Sequence, residues 1–370
     1  MIDKSFEPDW IVPPGEVLAE ALAERGMTQA ELARRMARPL KTISEIATGK
    51  AALTAETAIQ LERTLGISAS LWSGLEARYR EGLARRKAEA ELRSYGPWTK
   101  LFPIKQLRSF GALPAEPEAE GDVGALLTFF GVASPEGWER RWDSDATRFR
   151  MGTSKQTRHA VTAWLRLGEM ATEHWTTGPF DRRRLRREMP HIALLSNEAL
   201  FVAALDELRD RLSAAGVLFV VVPALEGAPV SGAARWLRRE VPLVQLSMRY
   251  LADDQFWFSV LHECAHLLSP SRVDVVEDAI DGEEDSNDEQ VANRVARDIL
   301  LPGAEFTAFV AARDFSRPAV MAFAASLKVS PGVVVGRLHR DNLVPWRSLN
   351  DLRRFYPKQA WRLAKTPVDQ

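Results

Sequence analysis

From residue 14 to about residue 93, apolar positions recur every three to four residues, a spacing that predicts a string of short helices. "PGEVLAEALAERG" carries leucine and alanine at helical spacing and stops at Gly26. Thr28 then heads "QAELARRM" with Glu31 three residues on, a capping-box arrangement. The tight connection "ARP" leads to "LKTISEIATG", which Gly49 ends. "ALTAETAIQLERTLG" follows, and "SASLWSGLEARYREGLARRKAEAEL" reads as an amphipathic helix with a charged outer face. Beyond Tyr95 the helical spacing continues, with Pro and Gly interrupting it more often and an acidic loop, "LPAEPEAEGD", at 113–122. At Gly216 the texture changes. "VLFVVVP" and "VPLVQLSM" (241–248) are short β-rich runs with "SGAARWLRRE" between them. Helical spacing then returns in "DDQFWFSVLHECAHLLS", "EQVANRVARDILLP" and the segments up to "SPGVVVGRLHRDN".

This pattern predicts a mainly α, multi-domain chain. Residues 10–94 are expected to form an all-α domain, 95–215 a helical connector and 216–345 an α+β domain with a small sheet, which the family resemblances given with the motifs make helix-turn-helix and zincin-like. Residues 346–370 are a C-terminal tail. No internal repeat is visible.

Composition narrows the classes. The 370 residues are 46% hydrophobic, ample for more than one core. The net charge of −1 provides no global basic field, so any contact with nucleic acid has to come from a local patch. A single cysteine, Cys264, rules out an internal disulfide framework and fits a reducing cytoplasm. "MIDKSFEPDWIVPPGE" lacks the apolar core of a signal peptide, and "GVLFVVVPAL" is about half the ~20 residues of a membrane helix. The expectation is a cytoplasmic protein with no membrane partner.

The chemistry concentrates in "FWFSVLHECAHLLSP". His262 and His266 stand at i and i+4, so a helix puts both imidazoles on one face within reach of a single cation. Glu263 projects from an adjacent face, where it can serve as a general base rather than a ligand. The neighbours Val260, Leu261, Cys264, Ala265, Leu267 and Leu268 carry no charge, and bare histidines in so dry a helix need polar partners. Cys264, at i+2 from His262, points elsewhere and reads as buried packing. A third ligand is offered by Glu289, 23 residues past His266, with Asn293 one turn further on to orient it. Ser286 and Glu289 also form S-x-x-E, so the residues alone leave Glu289 open between a helix cap and a ligand.

"HECAHLL" followed by "EQVANRVARDILLP" resembles the ImmA/IrrE family of metallo-endopeptidases over about residues 216–345. "SGAARWL" and "DDQFWFSVLHE" resemble segments upstream of the motif in regulator-fused members; Val295 replaces the usual aromatic. The resemblance implies Zn2+ as cofactor, His262, His266 and Glu289 as its ligands and Glu263 as catalytic base in water-mediated peptide hydrolysis. Arg337 and His339 are candidates for stabilising the oxyanion, with a salt bridge or exposure as the competing reading. A strand beside the helix, residues 241–248, is a candidate for holding an extended substrate.

"TQAELARRMARPLKTISEIATGK" fits a helix-turn-helix whose second helix enters the major groove. Lys41, Thr42, Ser44 and Glu45 are candidates for base edges, and Arg34, Arg35, Arg38 and Lys50 for phosphates. Ile43 and Ile46 are expected inside. The stretch from "PPGEVLAEALAERG" to "LGISASLW" resembles the XRE (Cro/C1-type) domain in its HigA-antitoxin subgroup, with Ala37 where a glycine is common. This implies a double-stranded DNA operator and a homodimer reading paired half-sites. Together the resemblances imply a regulator that binds DNA and cuts a repressor or toxin-related partner. The alternative is a HigA-like antitoxin repressor whose zinc domain senses or binds a partner without turnover.

Overall fold

The structure, a computed structural model, describes residues 12–116, 121–146, 155–238, 240–249, 251–269, 275–278 and 287–357. Ser286, the proposed cap, and most of the acidic tract before it lie outside the described residues. The chain divides into two compact units, Met1–Tyr95 and Gly96–Gln370.

The N-terminal unit is all helix: α1 (Pro14–Glu24), α2 (Gln29–Arg35), α3 (Leu40–Ala47), α4 (Ala55–Leu65) and α5 (Ala69–Ser94). Thr28 caps α2 by accepting the Glu31 amide at 3.2 Å, and Thr54 and Ser68 cap α4 and α5 in the same way. Leu18, Leu32, Ile43, Ile46, Leu61 and Trp72 close one core. Gly15 is required there, because a Cβ would overlap the Ala47 carbonyl at the end of α3. The amphipathic expectation fails along most of α5. Trp72 is its one buried residue, and the remaining length is supported by pairs one turn apart, Glu76–Arg80 at 2.7 Å and Glu81–Arg85 at 2.8 Å.

The C-terminal unit opens with α6 (Gly96–Thr99), α7 (Ile104–Ser109), α8 (Gly121–Phe130), α9 (Pro135–Ala146), α10 (Lys155–Ala171), α11 (Arg182–Leu194) and α12 (Phe201–Ala214). Then come β1 (Leu218–Val221), β2 (Val230–Arg238), β3 (Val241–Leu246), α13 (Asp253–Leu267), β4 (Val275–Asp278) and α14 (Asn287–Leu300). It ends with α15 (Gly303–Ala311), α16 (Arg317–Leu327) and α17 (Pro331–Arg340). The sheet order is β1-β3-β2-β4, with β1 parallel to β3 and the other two pairs antiparallel. Both faces are covered. Phe219, Val221, Val244 and Leu246 enter the core shared with α11–α14 and α17, while Leu218, Val220, Ala233 and Leu243 enter the core shared with α7–α10. Double burial explains why β1 and β3 read as near-continuous apolar runs, broken in β3 only by Gln245.

Residues expected as connector, zincin-like domain and tail therefore share cores within one unit. The expectation that residues 241–248 offer an open edge is overturned: β3 is hydrogen-bonded on both sides, by β1 and β2. Among the described residues no single helix is long and apolar enough to cross a membrane.

Candidate metal centre and nucleic-acid interface

Helix α13 begins at an unusual anchor. Asp253 and Asp254 occupy its first turn, where the helix dipole favours acids; Asp253 is fully buried and Asp254 largely so. Burial pushes both carboxyls above the usual range, although their partners pull the other way. Arg353 grips Asp254 through contacts of 2.8–3.0 Å, and Asp253 accepts from the Ser330 hydroxyl and from the Arg354 amide at 3.1 Å. Gly332 and Gly336 of α17 pass so close that a Cβ on either would overlap these carboxylates. Residues 353–356 complete the anchor, with a bridge between Ala252 and Phe355 and a Tyr356 hydroxyl that accepts from Trp257 Nε1 at 2.9 Å.

Three turns along, His262 and His266 are buried, and their Nε2 atoms face each other at 2.9 Å. Glu289, from the first turn of α14, reaches them at 3.2 and 3.4 Å with its two oxygens. Two imidazole nitrogens and a carboxylate thus converge on one point, all within 4.8 Å of one another. A tetrahedral ion with bonds of ~2.0–2.1 Å sets its ligand atoms roughly 3.3 Å apart, so the donor set fits zinc in chemistry and spacing. Burial raises the Glu289 pKa, but hydrogen bonds from His262 and His266 outweigh it and hold the carboxyl well below its ordinary range.

Glu263 stands outside this triad and is fully buried. Its carboxylate lies against β2 at Gly232, where a Cβ would come within 2.5 Å of Oε1. The Cys264 thiol is buried and pushed far up by desolvation, which suits packing and disfavours a metal-binding thiolate. Asn293 is buried one turn beyond Glu289 on α14. Arg337 and His339 each have partners of their own. Arg337 pairs with Asp341 at 2.7 Å and lies over the Phe306 ring, while the His339 ring bonds the Ser348 carbonyl at 2.8 Å and faces Trp346. Sequence reasoning missed Gly232 and the Asp253–Arg354 anchor. The first is visible only as a glycine in a strand-forming run, and the second only as two distant charge pairs.

In the N-terminal unit, α2 and α3 form the helix-turn-helix, with Ile43 and Ile46 buried. The turn forms with Ala37 in the left-handed region at φ 50, a cost of roughly 1 kcal/mol for a residue that is not glycine. Lys50 is exposed, and Thr42, Ser44 and Glu45 are half-exposed. Lys41 pairs loosely with Glu45 at 3.8 Å. Arg34 and Arg35 are exposed and pair with Glu31, whose pKa their hydrogen bonds lower. Arg38 is differently placed from the other cations. It bonds Gln60 at 2.6 Å and pairs with Glu56 at 3.3 Å, tying the turn to α4.

Known proteins match these two regions separately. Residues 18–72 match a helix-turn-helix family model, and residues 221–339 match the IrrE N-terminal-like domain, a peptidase M78 model. An uncharacterized HTH-type transcriptional regulator of Escherichia coli, YddM, is 41% identical over 63 residues, which span 17% of this chain and 67% of the relative. Among solved structures, a HigA-family addiction module antidote protein from Coxiella burnetii is 29% identical, covering 23% of this chain and 92% of that one, with a TM-score of 0.21. A Pseudomonas aeruginosa protein in complex with its operator DNA is 31% identical, covering 22% and 84%, with a TM-score of 0.20. The chain belongs to the helix-turn-helix (XRE-type) transcriptional regulators and carries a C-terminal IrrE N-terminal-like domain of the ImmA/IrrE kind.

Proposed function

We propose that this regulator is also a zinc-dependent endopeptidase that cleaves a repressor or other regulatory protein. One observation supports the reading above all: two histidines and a glutamate from separate helices converge at zinc spacing, with a further buried glutamate next to the first histidine. His262, His266 and Glu289 would hold the ion, three protein ligands being the number that leaves a catalytic site one open position. Zinc bound there supplies Lewis-acid polarisation of a peptide carbonyl and acidification of water. Glu263 accepts the proton of the attacking water and returns it to the leaving amine. Its burial against Gly232 holds the carboxylate in one place, and Asn293, one turn beyond Glu289, would orient that ligand.

The N-terminal unit directs the chain to a double-stranded operator in the cytoplasm, as a homodimer on paired half-sites. Lys41, Thr42, Ser44 and Glu45 face base edges; Lys50, Arg34 and Arg35 serve the phosphates. Arg38, held by Gln60 and Glu56, acts through the turn instead.

Glu263→Gln tests the catalytic claim. The variant is expected to retain about one zinc per chain by metal analysis while losing cleavage of neighbouring-gene products by a factor on the order of 100 or more. Unchanged fragment yields, or no fragments from the zinc-loaded wild type against any such partner, would leave the antitoxin-type repressor reading in its place.

A further inference from the structure

The two helix faces that carry the metal-site donors continue past them. On α13, Asp254, Phe258, His262 and His266 recur every four residues, and on α14 Glu289, Asn293, Arg297 and Leu300 recur every three or four. Beyond the donors these faces leave between them a cavity of about 80 Å³, closed by α17. Phe258, Leu300, Leu301, Val333 and Gly336 form its apolar wall. The charged residues around it are already engaged. Asp254 is paired with Arg353 and Arg337 with Asp341, Arg340 lies 5.5 Å over the Phe258 ring, and Arg297 also has a partner. What the cavity presents is therefore apolar surface, for which neither zinc nor Glu263 has a use.

Its size and place together define an occupant. An apolar cavity of ~150 Å³ holds one benzene ring. At about half of that, this one has room for a branched aliphatic side chain but not for a whole small ligand, whose pockets run ~300–1,000 Å³. Protein interiors rarely leave such a void, because the lining atoms forfeit dispersion contacts. The Phe258 ring that walls it lies 5.8 Å from the His262 ring. At ~1.5 Å per residue, the turn from Phe258 back to Asp254 lies roughly 6–12 Å from His262 along α13. An extended peptide advances ~3.3 Å per residue, so two or three residues cover that distance.

Resting on the endopeptidase reading of the metal centre, we infer that this cavity is a specificity pocket for the substrate. It takes one branched aliphatic side chain of the bound protein, two or three residues from the bond that is cut. Titration calorimetry of the zinc-loaded full chain with metal-anchored peptides tests this without turnover. The probes are triglycine peptides bearing a hydroxamate at the C-terminus, or at the N-terminus through a malonyl group, with leucine replacing each glycine in turn. In at least one position leucine is expected to tighten binding about tenfold over glycine, because its side chain takes several methylenes out of water. Val333→Leu, which fills the cavity, is expected to abolish that gain, and Val333→Ala, which enlarges it, to transfer the gain to phenylalanine. Zinc content and melting temperature check that both variants are folded. Equal binding of leucine and glycine peptides leaves the zinc centre standing and overturns the pocket, as does a leucine gain that neither variant alters. Free N-acetylleucine amide binding as tightly as the peptides assigns the cavity to a separate small molecule and overturns it too. Binding of no hydroxamate at all removes the zinc reading and the pocket with it.

Discussion

At Gly232 a hydrogen stands where any other residue would bring a methyl group within 2.5 Å of Glu263 Oε1 and 2.9 Å of Leu246 Cδ2. Neither the strand backbone nor a buried helix can yield easily, so Gly232→Ala is expected to displace the Glu263 carboxylate. A displacement near 1 Å at a catalytic group costs a factor on the order of 100. Zinc content should stay near that of the wild type, because the metal-site donors lie on α13 and α14 and not on β2. An alanine variant with full cleavage activity would remove Gly232 from the machinery. At this scale the sequence was most legible where chemistry is local. His262 and His266 needed only helical spacing, and the Thr28 cap needed only three residues. The partners of Arg38, Gln60 and Glu56, lie on another helix and leave no trace in spacing.

Between elements, the N-terminal end of α13 is held by α17 and residues 353–356, far from the motif in sequence but joined to it by one rigid helix. Removing Arg353 leaves Asp254 buried without its bidentate partner, so Arg353→Ala is expected to lower stability by about 3 kcal/mol, read as a shift in the urea midpoint. The same anchor gives a pH dependence. Burial raises the folded-state pKa values of Asp253 and Asp254 above the unfolded value, so the native state binds protons more readily than the unfolded chain. Their contribution to stability therefore grows as pH falls towards 3.8 and declines as pH rises through the folded values. Asp253→Asn should flatten that slope in urea titrations at pH 5 and 7; an identical slope in variant and wild type would show that Asp253 does not titrate as argued. Helix types and most helix limits were readable from periodicity. Strand β2, rich in alanine and arginine, and strand β4, inside an acidic tract, were not, because their pairing partners decide them.

For the whole molecule, two compact units with separate cores predict two unfolding transitions in calorimetry. A metal that binds only the C-terminal unit moves only that unit's transition. Zinc at about a hundred times its Kd adds ~2.7 kcal/mol to that unit, and a chelator should take this away while the N-terminal transition stays put. A single transition, or a chelator shift in both, would argue against independent units. Sequence alone determined what depends on neighbours within a turn or two: the helix-turn-helix, the caps, the two-histidine motif and the apolar strands β1 and β3. Local pattern left Glu289 open between helix cap and ligand, since both need an acid in the first turn of a helix, and only the family resemblance pointed to the ligand. Only the tertiary structure decided which distant groups meet: Glu289 with the histidines, Gly232 with Glu263, Asp253 and Asp254 with Arg353 and Arg354, and β3 in the middle of the sheet. The physical reason is that hydrogen bonding within a helix acts over four residues and is written in the local pattern, whereas packing depends on which surfaces the whole chain brings together.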